Sequence, residues 1–470
     1  MRRYVLLPRR GLRWPTGARH LEAAMAEPGA PRVVDTLVGP GGGATLVAIA
    51  PGDVETLRVR EPDLRVVPVR LYRPALVRPE VARPPLEVAA APPFVVTVVS
   101  ADGRVVTGAT VSAFTDFAAR RGARGRTAAD GTVELDLGAA DVVERLYVHG
   151  ALDHWSLLRR RVRAGRPLRL ALRPLDHREV DGVAHRYGMA RLSAGRGVRI
   201  ALIDTGVALD HGDLAVAGGR NCVTGEEPED FGPNGLEHGT HVAGIVAARG
   251  RPPSGRRGVA PGAEIRSYRA FGRNRGEATN FALAKALDAA VGDGCDIVNL
   301  SVGGGGPDPV VRAAIEEAQA AGVLVVAAAG NDDRGPVSFP ANLADVVAAS
   351  ALGRTGTFPA SAGGAAERRG PYGNDGADFI AAFSNVGAID VTAPGVAIVS
   401  TVPGGYLDLD GTSMACPAVV GVLARVISGS RRLRSQARSP ERAAAALTLL
   451  RRRAEPLGFP SSLEGEGLAR

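Results

Sequence analysis

The sequence predicts an α/β protein: a parallel sheet with helices on both faces, preceded by a small α+β domain and a small all-β sandwich. Three observations predict it. From Arg199 onward, short apolar runs alternate with longer helical patterns, as when crossover helices build a parallel sheet. Between Phe94 and Arg173 the period is two, broken by Asp-Gly turn signals, as in antiparallel strands. Residues 1–78 mix strand patterns with one short helical run. A length of 470 residues suits about three domains, and a hydrophobic content of 45% suffices for their cores. Aromatics are only 4%, while Gly and Ala abound, which suits close-packed α/β layers.

In residues 1–78, Tyr4 to Leu7 and Thr45 to Ile49 read as strands. Asp53 to Arg60 follows Pro51-Gly52 as a helix, and Leu64 to Leu71 alternates as one strand. Residues 79–93 read as a semi-rigid linker rich in Pro and Ala. In residues 94–174, Phe94 to Val99, Gly108 to Phe114 and Thr127 to Leu135 give strands and turns spaced as in a small β-sandwich. His149 and His154 read there as surface or packing residues. In residues 175–470, Arg199 to Ile203, Glu264 to Tyr268, Ile297 to Leu300 and Val323 to Ala327 read as strands. Phe281 to Val291, Pro309 to Ala321 and Ser439 to Arg453 read as helices. Arg354 to Asp378 is a Gly-rich insertion, a surface loop or a processing site.

Three stretches of this last region carry chemistry. Gly411-Thr412-Ser413-Met414-Ala415-Cys416-Pro417 is a small-residue turn feeding an apolar helix, with Ser413 in its first turn. Unpaired N–H groups and the helix dipole stabilise a developing oxyanion there. Pro417 removes the N–H that would have bonded the Ser413 carbonyl, which is tolerated in a first turn. Ile200 to Gly206 is an apolar strand ending in Asp204-Thr205-Gly206, a carboxylate at the tip where open α/β sheets place their sites. Glu237 to Gly244 opens a helix on His238, with His241 three residues on. Each stretch alone also fits a plain cap or turn. A metal pair at His238 and His241 lacks a third ligand at a convincing spacing, so neither metal nor cofactor is expected.

Taken together, the stretches resemble the subtilisin-like serine proteases, the subtilases. Asp204, His238 and Ser413 occur in that family's order. Val325 to Asn331 is similar to its strand ending in an oxyanion-hole asparagine, and Asn299 to Gly304 to its substrate-pairing edge. The resemblance implies a serine endopeptidase with Ser413 as nucleophile, His238 as base, Asp204 as its partner and Asn331 in the oxyanion hole. It further implies substrate binding by Ser301, Val302, Gly303, Phe271, Gly272 and Ser338, with an extended strand held between the loop 271–276 and the edge 301–303. Arg273 and Arg275 at that rim predict a taste for acidic side chains upstream of the cut; Asp332 and Asp333 predict a basic one next to it. Residues 1–78 resemble the family's propeptide, with Tyr72 to Val77 as a trailing substrate mimic, and residues 94–174 resemble a carboxypeptidase-regulatory module. The alternatives on the same chemistry are a dedicated maturation protease or a peptide ligase; from another class, a catalytically silent binding module.

Departures and composition narrow this further. Arg249 to Arg257 stands where the family has a calcium loop but offers arginines in place of oxygen ligands, so no calcium site is expected. The net charge of +8 comes almost wholly from scattered arginines without interleaved aromatics, which predicts solvated surface and no nucleic-acid partner. No run of 18 apolar residues predicts a membrane span. The partners expected are polypeptide substrate and the N-terminal unit itself. The short apolar run at Tyr4 to Leu7 and the odd set Cys222, Cys295 and Cys416 favour a cytoplasmic protein, with secretion as the alternative.

Overall fold

The computed structural model describes residues 1–8, 31–38, 43–85, 92–304 and 306–470. At the N-terminal end, β1 (Arg2–Pro8), β2 (Arg32–Leu37), β3 (Ala44–Ile49) and β4 (Leu64–Pro68) form an antiparallel sheet in the order β2-β3-β1-β4. Side chains alternate across it. Leu6, Val47, Ile49 and Val66 pack on Val54 and Leu57 of helix α1 (Val54–Arg60). Val5, Leu7, Leu46 and Val67 face the other way, onto Phe281, Ala284 and Val310 of two later helices. The strand Arg32–Leu37 was not anticipated, and the expected strand Leu64 to Leu71 is in fact two. Past Pro68 the Val69 N–H still donates to the Arg3 carbonyl at 3.2 Å, and the chain then leaves the sheet to form β5 (Leu71–Pro74), whose partners lie more than 200 residues away.

The next layers are antiparallel except at one edge. Strands β6 (Phe94–Ser100), β7 (Thr110–Asp116), β8 (Arg121–Arg126), β9 (Thr132–Leu135), β10 (Val142–His149), β11 (Leu157–Arg163) and β12 (Leu168–Leu172) make two sheets, β11-β10-β7-β8 and β12-β6-β9. Between them lies an apolar filling that includes Val96, Val98, Val111, Val143, Leu146 and Leu170. Of the expected linker, residues 86–91 lie outside the described residues.

The central sheet has eight strands. Its path is β14 (Val216–Asn221), β15 (Glu264–Arg269), β13 (Arg199–Asp204), β17 (Ile297–Leu300), β19 (Leu324–Ala328), β20 (Val347–Arg354) and β21 (Asp378–Ile380), with β22 (Val391–Pro394) also on β20. Every pairing is parallel except β20 with β21. The short β16 (Ala278–Thr279) and β18 (Val302–Gly303) lie outside this sheet, and β23 (Ile398–Val402) pairs with β24 (Gly405–Leu409) as a hairpin. After α2 (Gly182–Tyr187), the helices that cover the sheet are α3 (His238–Ala247), α4 (Asn280–Gly292), α5 (Pro309–Ala320), α6 (Thr412–Gly429), α7 (Arg431–Ser435) and α8 (Pro440–Arg453). Along β13, Ile200 and Leu202 point to α3, α6 and α8, while Ala201 and Ile203 point to α4 and α5. Helix α6 is long and apolar enough to cross a membrane, yet 83% of it is buried inside the protein, as a core helix is. The insertion 354–378 is no free surface loop: the Ser361 carbonyl accepts from Leu158 N–H, and Gly363 N–H donates to Ser156 Oγ.

Candidate active site

Asp204 ends β13 at the carboxyl edge of the sheet, and His238 is the first residue of α3. His238 Nδ1 lies 2.7 Å from Asp204 Oδ1, and the Thr205 N–H donates to the same oxygen at 2.7 Å. Both side chains are buried, at 0% and 1% exposure, so solvent does not compete for the pair. Thr205 Oγ1 accepts from the Gly239 N–H, tying the end of the strand to the start of the helix. Among the described residues, His238 Nε2 has no hydrogen-bond partner. Ser413, in the first turn of α6, donates its Oγ–H to the Ser301 carbonyl at 2.8 Å.

Pro417 leaves the Ser413 carbonyl without its helical donor, and Ser301 Oγ–H supplies one at 3.0 Å. Ser301 Oγ in turn accepts from Asn299 Nδ2, and the Cys416 thiol donates to Asn299 Oδ1. Burial pushes that thiol up to about 12, so it stays protonated. Asn331 follows β19. Its Oδ1 accepts from both the N–H and the hydroxyl of Thr412, which fixes the amide, and its Nδ2 has no partner among the described residues. The free donor and the Ser413 N–H belong to adjoining turns.

A peptide already lies here, and it is the chain's own. Strand β5 runs antiparallel between β16 and β18: Leu71 and Tyr72 pair with Thr279 and Ala278, and Arg73 and Pro74 with Gly303 and Val302. The Ala75 N–H donates to the Ser301 carbonyl at 3.0 Å, and the Ala75 carbonyl accepts from the Ser413 N–H at 3.1 Å. A Cβ on Gly411 would stand 2.5 Å from that carbonyl oxygen, and the φ of Gly411 is +154°, so only glycine lets the carbonyl approach. Beyond it, the Val77 N–H donates to the Asp410 carbonyl at 2.9 Å. A cavity of about 580 Å³ beside Ala75 is lined by Gly303, Gly330, Asn331 and Ser338.

Several expectations change. Asp204, His238, Ser413, Asn331, Ser301, Val302, Gly303 and Ser338 gather at one cleft, but Phe271 and Gly272 do not pair with the bound strand. Phe271 is fully buried in the core, and Asn234 Nδ2 donates to the Gly272 and Arg275 carbonyls, which holds 272–275 as a turn. The edge therefore opens only at Ala278. Arg273 pairs with Asp230, and the rim group that meets the strand is Glu277, 2.6 Å from Arg73. Asp333 pairs with Arg369. His241 turns away from His238, with Nε2 near the Ile398 and Leu407 carbonyls, and burial pushes its pKa down to about 3. In the loop 249–257 the guanidiniums cap carbonyls: Arg257 reaches those of Gly250 and Ala190, and Arg256 those of His177 and Glu179. Thr205, Thr412, Gly411 and the hydroxyl of Ser301 were missed as positioning groups; each sits within two residues of a motif or inside one, the only signal that could have found them.

Comparison with known proteins agrees with this geometry. The model of the subtilase family matches residues 195–454, more than half of the chain. M-protease of Shouchella clausii is 38% identical over 245 residues, which is 52% of this chain and 56% of M-protease. Subtilisin DY of Bacillus licheniformis is 35% identical over 240 residues, 50% of this chain and 78% of that protein. Subtilisin Savinase of Lederbergia lenta is 38% identical over 245 residues, 52% of this chain and 79% of that protein. With the family model over half the chain and relatives covered for most of their length, the chain belongs to the subtilase family of serine endopeptidases.

Proposed function

We propose that this chain hydrolyses peptide bonds of extended polypeptide by acyl transfer through Ser413, and that its own Ala75–Leu76 bond is the first one presented. The observation that carries the reading is the pair of hydrogen bonds at Ala75, which hold its carbonyl against the Ser413 N–H. Rotation of Ser413 about Cα–Cβ frees Oγ from the Ser301 carbonyl and turns it to the open Nε2 of His238. His238 takes the proton as Oγ attacks the carbonyl carbon, and Asp204 stabilises the imidazolium. The oxyanion accepts from the Ser413 N–H and from Asn331 Nδ2, the donor left without a partner. His238 then protonates the Leu76 nitrogen, the amine leaves, and water reverses the sequence on the ester.

Residues 1–75 are, in this reading, an inhibitory propeptide-like unit, and the antiparallel layers of 94–174 stay with the enzyme after the cut. Hydrolysis is favoured over the ligase and silent-module readings. Kinship with the subtilisins weighs toward the secreted alternative rather than the cytoplasmic one. The test is the mass of the purified chain. A fragment ending at Ala75 and a new amino terminus at Leu76 are expected, together with fluorophosphonate labelling of the cut enzyme. Ser413→Ala should abolish both; cutting that persists in that variant would overturn the assignment.

A further inference from the structure

We infer that the antiparallel layers of residues 94–172 are the downstream half of the peptide cleft, a surface that binds polypeptide on the carboxyl side of the bond under attack. The inference rests on the reading of Ala75–Leu76 as that bond, and extends the cleft well past the central sheet.

The path of the chain carries it. After Val77 bonds the Asp410 carbonyl, Arg78 meets Glu237 at 2.5 Å, with the side chains 29% and 28% exposed. Glu237 directly precedes His238, so a carboxylate on the third residue after the bond would meet like charge there. The Glu80 N–H then donates to the Arg78 carbonyl and bends the chain toward β8. Strand β8 is the free edge of its sheet. The Ala82 and Arg83 N–H groups converge on the Arg120 carbonyl at 2.9 and 3.1 Å, and the Gly122 N–H donates to the Arg83 carbonyl at 3.0 Å. Arg83 thus pairs in parallel with Arg121, whose guanidinium also reaches the Pro84 carbonyl. This is strand addition to an open edge, the way folded domains commonly hold extended peptide. Between the two anchor points Val81 packs into an aromatic cluster of Phe114, Phe117 and Tyr147.

The surface is fixed to the catalytic machinery. Ser156 donates to the Asp408 carboxylate through both its N–H, at 2.9 Å, and its hydroxyl, at 2.5 Å. The Asp153 N–H donates to the Tyr406 carbonyl. Both partners lie on β24, the strand that leads into Ser413. The ligand class that fits is extended polypeptide with a basic residue third, and an aliphatic residue sixth, after the bond. In this chain the occupant is its own segment Leu76 to Pro84.

Two measurements on the full chain test this. In the Ser413→Ala chain, hydrogen exchange at the Ala82, Arg83 and Gly122 amides should be at least tenfold slower than in the same chain carrying Val81→Asp; the Ala75 amide should not change. In the active chain, Val81→Asp and Arg78→Glu should each slow the appearance of the Leu76 amino terminus severalfold. Both changes lie on an extended segment outside the strands and helices, and neither side chain belongs to the core between the two sheets or to the core of the central sheet. If Val81→Asp matches its parent in exchange and in cutting rate, the segment merely passes by and the inference falls. Protected amides in a chain that is never cut between Ala75 and Leu76 would keep the docking surface and sink the reading of that bond.

Discussion

At the scale of single residues, the site is a set of open valences held by closed ones. Asn331 is fixed through Oδ1 so that Nδ2 is free, and Asp204 is fixed through Oδ1 so that the other nitrogen of His238 is free. Asn331→Ala removes a donor that acts only as charge develops. Turnover should fall by about 10²–10³ with KM little changed, a magnitude known from subtilisin itself. A loss of less than tenfold would place the oxyanion elsewhere. Asp410, three residues before Ser413, is half-buried near Asp408, and desolvation foremost pushes its carboxyl up from 3.8 to about 8. Glu367 adds to the repulsion, and the Ala397 N–H works against it. A raised carboxyl keeps a proton in the folded state that the unfolded chain gives up. Its contribution therefore lowers stability as pH rises from about 3.8 to about 8 and is level above that. Asp410→Asn should remove that slope, read as Tm against pH; a slope of the same size in the variant would exclude Asp410 as its source.

At the scale of elements, α6 begins with a defect and a repair. Pro417 takes a donor away from the Ser413 carbonyl, and the hydroxyl of Ser301, beyond the end of β17, replaces it. Ser301→Ala should cost about 1–3 kcal/mol, because the carbonyl is buried and has no water to turn to. Thermal unfolding should show it, and an unchanged Tm would mean another group satisfies the carbonyl. This repair was not legible in the sequence, although Pro417 announced the need for it. Apolar runs such as Ile200 to Ile203 were legible because both faces of a parallel strand are covered, and the residues at their tips followed from the sheet's polarity. The single strand expected over Leu64 to Leu71 failed because β5 takes its partners from β16 and β18, and alternation carries no information about partners that distant. Phe271 and Gly272 were named for the character of their loop; the side chain of Asn234 decides where that loop ends and the pairing edge begins.

At the scale of the molecule, one chain builds the cleft, fills it and roofs its downstream side. The N-terminal sheet lies on α4 and α5 through Val5, Leu7 and Val67, and Asp35 adds an ion pair to Lys285 at 2.8 Å. While the chain is intact, β5 faces its site at millimolar effective concentration, so the cleft stays occupied. Once the bond after Ala75 is cut, that advantage is lost and only the contacts themselves remain. They are mostly apolar, with main-chain pairing along β5, and such a surface binds without a covalent tether. A fragment of residues 1–75, added to the cut enzyme, should therefore inhibit hydrolysis of a peptide substrate at micromolar concentration or below. Salt should matter little, because the two ion pairs, Asp35–Lys285 and Arg73–Glu277, are partly or largely exposed and contribute at most about 1 kcal/mol each. Leu7→Asp, on the face turned to α4 and α5 and away from α1, should weaken inhibition at least tenfold while the fragment keeps its fold by circular dichroism. A folded fragment that leaves hydrolysis untouched at tens of micromolar would mean that the N-terminal layer serves folding or placement, and that the resting cleft is closed by the tether alone.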